Sequence, residues 1–84
     1  MSGRRTSISQ AEMEFNLAIS KRIGEFQEDR GISRARLARM AGVGSSQLYS
    51  YLVGISRWPV FRLHQIARKL GVKVSDLMPA ERNL

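Results

Sequence analysis

The chain has 84 residues, no cysteine and a formal net charge of +7. That length holds one domain with one modest core, which buries only about 60% of the surface its unfolded chain exposes. Without cysteine there are no disulfides, thiolate metal sites or cysteine nucleophiles, so a reducing cytoplasm is the expected setting, and no apolar run approaches the ~20 residues of a membrane-spanning helix.

Residues 1–10 carry two arginines but no apolar stretch of the kind a signal peptide needs. They are expected to form a flexible basic tail ahead of a domain at 11–79, with a short tail at 80–84. Ser9-Gln10-Ala11-Glu12 has the spacing of a capping box, in which serine and glutamate satisfy each other's backbone donors. It opens a first helix to about residue 30, with Phe15, Ile19, Ile23 and Phe26 as the inward stripe. Gly24 within it costs roughly 1 kcal/mol relative to alanine, and Gly31 ends it in the left-handed conformation that glycine tolerates.

Ser33 caps a second helix over 34–41, whose inner face is Leu37, Ala38 and Ala41. Gly42-Val43-Gly44 makes a tight break. A third helix runs from Ser45 to about Val53, with Leu48, Tyr51 and Leu52 inward and Ser45, Ser46, Tyr49 and Ser50 outward; Gly54 stops it. Pro59 suits the first turn of a fourth helix, whose core face is Leu63, Ile66, Ala67 and Leu70 and which Gly71 closes. Ser75 caps a last short turn over 76–78, halted by Pro79. No strand pattern, repeat or low-complexity segment interrupts this order.

Charge is unevenly spread along these elements. Residues 31–57 contain Arg34, Arg36, Arg39 and Arg57 and no acid, while five of the seven acids precede them. A one-signed segment between mixed ones points to a surface that meets a polyanion. No helix pairs a lysine-rich face with the broad apolar face that membrane surfaces require. Catalysis finds no support: there is no histidine pair, carboxylate pair, phosphate-cradling glycine loop or nucleophile with a base. The chain is therefore expected not to be an enzyme and to need no cofactor, metal or small-molecule ligand. His64, the sole histidine, reads as a helix-surface residue, and Arg36 and Arg39 taken alone do no more than solvate the second helix.

Two short helices joined by a glycine-containing turn make a helix-turn-helix. Ala38 lies where the helices cross closely, Gly42 takes the turn, and Val43 and Leu48 plug the angle from inside. One face of the third helix is thereby left free to enter a major groove.

Leu37-Ala38, Ala41-Gly42-Val43, Leu48, Gly54, then Ile66-Ala67-Arg68-Lys69-Leu70-Gly71-Val72 and Ser75-Asp76-Leu77, resemble the Cro/phage-repressor-type helix-turn-helix family in order and spacing. The resemblance implies an all-α, compact five-helix bundle of the lambda-repressor kind. It also implies a function: a transcriptional regulator, a repressor binding double-stranded DNA as a homodimer on an inverted-repeat operator. On the third helix it assigns base reading to Ser45, Ser46, Gln47, Tyr49 and Ser50, Gln47 pairing with adenine or else reaching a phosphate. It assigns phosphate contacts to Arg34, Arg36 and Arg57, and leaves Val74, Leu77, Met78 and Leu84 as candidates for the dimer contact.

The departures from the family are specific. Arg34 replaces the family's usual glutamine at the start of the second helix, where it can hold a phosphate with a full charge. Gly44 stands where serine or threonine often caps the third helix. The stretch from Pro59 to Gly71 is one residue short of the common spacing, which leaves Trp58 either under the fourth helix or at the DNA edge. Gln27 and Leu52 occupy the positions of a buried arginine–glutamate pair, and losing both partners together avoids stranding one charge. Two other readings remain: a DNA-binding accessory factor such as an antitoxin or mobile-element protein, and a helical protein-interaction module whose basic face meets an acidic protein.

Overall fold

The computed structural model describes residues 8–79. Most of the expected N-terminal tail, the C-terminal tail and Leu84 lie outside these residues. Four α-helices follow in order: α1 Gln10–Arg30, α2 Arg34–Ala41, α3 Ser45–Leu52 and α4 Val60–Leu70, then a 3-10 turn at Val74–Leu77. Among the described residues there is no strand.

Each boundary has a local cause. Ser9 accepts the Glu12 N–H at 3.1 Å, so half of the capping box forms; the Glu12 carboxylate turns away to Arg57. Gly31 (φ 63°), Gly42 (φ 74°) and Gly71 (φ 75°) end α1, α2 and α4 in the left-handed region. Ser33 accepts the Arg36 N–H at 3.1 Å and starts α2. Pro59 precedes α4 as its cap rather than entering its first turn. The five-helix expectation needs correction: four α-helices form, and the fifth element is a single 3-10 turn. Pro79 disfavours helical geometry at the residue before it, and Met78 is extended (φ −91°, ψ 152°). Nor does Ser75 cap this turn. It lies inside it, and the Asp76 carboxylate accepts the Lys73 N–H at 2.9 Å instead.

Ile19, Ile23, Leu37, Leu48, Leu63, Ile66 and Leu77 are the most completely buried large side chains, and they join all four helices and the 3-10 turn into one core. Ala38 and Ala41 are buried in α2, as are Ile66, Ala67 and Leu70 in α4. Phe26, Val43 and Leu52 pack against the core from its margin. Gln27 donates its amide to the Ile32 carbonyl at 3.3 Å and so ties down the turn after α1.

Phe15 is 47% exposed and does not belong to the inward stripe. The first half of α1 turns a different face inward, because its neighbour there is the segment after α3. Asn16 and Ser20 bond Trp58, and a Cβ on Gly54 would stand 3.1 Å from Leu17 and 3.3 Å from Met13. Phe15 lies about 100° round the helix from Asn16 and misses that contact. Gly54, at φ 83°, is thus required twice, by its backbone and by the close approach of α1.

Trp58 is the centre of this junction and is only 5% exposed, so it packs inside and not at the DNA edge. Its ring stacks at 4.8 Å on Tyr51. Its backbone N–H donates to Asn16 Oδ1 at 2.7 Å and its indole N–H to Ser20 Oγ at 3.0 Å. Asn16 Nδ2 in turn donates to the Glu12 carbonyl at 2.7 Å; since Trp58 N–H can only donate, the amide orientation follows from chemistry. The Ser20 hydroxyl lies 3.0 Å from the Tyr51 carbonyl and 3.1 Å from that of Asn16, and its single proton serves one of them at a time.

Candidate nucleic-acid interface

The core anchors α3 by one side only. Leu48 is fully buried, Tyr51 is 6% exposed and Leu52 packs against the core margin, which leaves Ser45, Ser46, Gln47 and Tyr49 of this eight-residue helix to face outward. All four are exposed. Ser50 is half-buried and its hydroxyl donates back to the Ser46 carbonyl at 3.3 Å, so toward an outside group it offers an acceptor. The base-reading residues expected from the sequence therefore share one helix, with four presented freely and Ser50 partly withdrawn. No side chain caps α3 at Gly44.

The cations around α3 fall into three settings. Arg34 is exposed at the start of α2, in a first turn with no acid. Arg57, in the loop after α3, reaches across to α1: its Nε and Nη2 both donate to the Glu12 carboxylate, the second at 3.3 Å. That hydrogen bond and the facing negative charge raise the Arg57 pKa above its ordinary value, against a small opposing desolvation. The expected phosphate contact is thus an exposed arginine already held by an acid of its own chain. Arg36 and Arg39 line a cleft whose walls come from α1, α2 and α4. His64 is exposed on α4.

One comparison decides the family. The model of the Cro/C1-type HTH DNA-binding domain matches residues 22–82, well over half of the chain. The chain belongs to this family. The Cro/C1-type assignment agrees with the short α2 and α3, the glycine turn between them and the outward face of α3. Among solved structures, the chain is similar to the restriction-modification controller protein C.AhdI from Aeromonas hydrophila, with a TM-score of 0.67 and 19% identity over 75% of this chain and 96% of that one. It is also similar to the hypothetical transcription factor NHTF from Neisseria, with a TM-score of 0.71 and 16% identity over 94% of this chain and 88% of that one. At these identities both likenesses concern the fold. No curated protein matches the chain.

For this Cro/C1-type domain, sequence reasoning missed the supports of the α3 face. Asn16 and Ser20 sit one helical turn apart inside an apolar stretch, the one pattern that could have marked a polar clasp. The sequence marks Glu12 as a cap alone, and its second role depends on a residue 45 positions away. Leu77, a candidate for the dimer contact, is fully buried in the core and is withdrawn from that role; Val74 and Met78 are partly buried against it.

Proposed function

We propose that the chain is a transcriptional regulator, a repressor, that binds an inverted-repeat site in double-stranded DNA as a homodimer. The observation that carries this reading is the outward face of α3, a row of small polar side chains on a helix that the core holds from behind. Ser45, Ser46 and Gln47 read base edges, Tyr49 meets a sugar or a thymine methyl, and Ser50 accepts. Arg34 holds a phosphate. The test is selection of bound fragments from a random duplex library, in which one sequence class should be enriched.

Few base contacts from one helix fall short of the roughly 4–10 kcal/mol by which specific sites exceed nonspecific ones. A second subunit on a two-fold axis doubles them. The selected site is expected to be an inverted repeat with half-site centres about 34 Å apart, bound by two chains. Among the apolar side chains the core does not use, the most exposed are the candidates for the subunit contact: Val60 and Phe61 at the start of α4 are 70% and 60% exposed, and Ile55 is 64% exposed. A selected site without two-fold symmetry, occupied by one chain in sedimentation, would sink this arrangement.

Glu12 occupies two of the Arg57 donor nitrogens and offsets its charge, and the carboxylate itself repels phosphates. Glu12→Gln is therefore expected to raise affinity for every duplex and to steepen the dependence of log affinity on log salt, by up to about 0.9 for one added phosphate contact. Fluorescence anisotropy across a salt series reads both quantities. An unchanged slope would place Arg57 away from the duplex.

A further inference from the structure

A group of four cations away from α3 lies where α1 and α4 end beside α2. Arg30, Arg36, Arg39 and Lys69 surround a cleft of about 480 Å³, floored by Ile32, Met40 and Leu70. No acidic side chain lines it, and none of the four cations forms an ion pair among the described residues.

Three of these cations have an ordinary structural reason to be there. Arg30, Arg39 and Lys69 stand in the last turns of α1, α2 and α4, where the negative end of the helix dipole favours them. Arg30 also donates to the Leu70 carbonyl and lies 5.2 Å over the Phe26 ring, so it is a fixed wall of the cleft. Arg36 has no such reason. It occupies the first turn of α2, the positive end, with no acid in that turn to offset it. A cation placed against the dipole, beside others of the same sign, is explained by an anion from outside.

The floor selects the kind of anion. A sugar–phosphate backbone would cover the apolar floor of Ile32, Met40 and Leu70 without filling it. An acidic polypeptide offers both what the rim and what the floor require. We propose that this cleft docks an acidic segment of a partner protein, one apolar side chain seated on Ile32, Met40 and Leu70 while flanking carboxylates pair with Arg36, Arg39 and Lys69. The walls include no α3 residue, so the site is separate from the base-reading face and stands or falls independently of it.

The experiment is an NMR titration of the isotopically labelled full chain with a short synthetic peptide of aspartates and glutamates around a single leucine. The amides of Ile32, Arg36, Met40 and Leu70 should shift. Arg36→Glu should weaken binding at least about tenfold, some 1.4 kcal/mol, while melting no lower than the parent, because a carboxylate suits the first turn of α2. Arg39→Ser gives a second, charge-neutral reading with the same expected weakening. Serine in place of the peptide's leucine should weaken binding comparably. The proposal is overturned if millimolar peptide moves nothing, if the shifts fall on α3, or if the leucine is dispensable. It is equally overturned if a random-sequence DNA duplex shifts these four amides, since the cleft would then be a nucleic-acid arm.

Discussion

Trp58→Ala is expected to remove a large share of the protein's stability. Deleting a large buried aromatic typically costs about 3–5 kcal/mol through lost burial and the cavity left behind. Small domains have only about 5–15 kcal/mol of stability in total, and this one has a modest core. The loss here extends beyond volume, because Trp58 stacks on Tyr51 and bonds Ser20 through its indole nitrogen. Graded variants separate these contributions. Trp58→Phe keeps a ring against Tyr51 and gives up one hydrogen bond, an expected cost of about 1 kcal/mol or somewhat more for the volume change. Asn16→Ala leaves the buried Trp58 N–H without its acceptor, for about 1–3 kcal/mol. In a domain of this size each kcal/mol lowers the midpoint by about 4–8 °C, so circular-dichroism melts should rank Trp58→Ala well below Asn16→Ala, and that below Trp58→Phe. If Trp58→Ala melted within a few degrees of the parent, the segment after α3 would be held by something other than this clasp.

How far the sequence reaches follows from the range of each interaction. Helix boundaries at Ser33, Gly42 and Gly71 are set by neighbours a few residues away, and α2 spans the residues that its cap and its glycine delimit. The apolar periodicity of α4 names its buried residues because a single face of that helix meets the core. Reading fails where a side chain answers to a distant element. Phe15 has the spacing of a core residue, yet the segment after α3 claims the adjacent face of α1. Glu12 completes a local cap on paper, but Arg57 offers the carboxylate a full positive charge. Trp58 could not be placed from its neighbours, because the groups that fix it, Asn16 and Ser20, are 42 and 38 residues away. The outward residues of α3 were legible for the opposite reason: once Leu48 and Tyr51 are assigned to the core, helical geometry alone determines what faces out. The use Gln27 makes of its amide, on the Ile32 carbonyl five residues on, was not legible either.

The residues proposed to read DNA and those proposed to hold it should separate in a salt titration. Arg34 meets a phosphate in this account, and each phosphate neutralised releases condensed counterions, contributing about 0.9 to the slope of log affinity against log salt. Arg34→Ala should weaken binding to selected and random duplexes alike and flatten that slope by roughly one. Arg57→Ala should flatten it less than Arg34→Ala, because the charge of Arg57 is already offset by Glu12. Ser46→Ala and Gln47→Ala should behave in the opposite way. Their side chains carry no charge, so the slope stays put, while the gap between the selected and the random duplex narrows by about 1–3 kcal/mol for a good base contact. Serine belongs at the lower end of that range, since its hydroxyl makes one contact where glutamine makes two. Ser50→Ala should narrow the gap less than Ser46→Ala, because the Ser50 hydroxyl already donates to the Ser46 carbonyl and is half-buried. All five variants keep the core residues, so unchanged melts confirm that binding alone is being read. If Arg34→Ala abolished discrimination and the α3 variants lost only general affinity, the groove would be entered by a different face of the bundle.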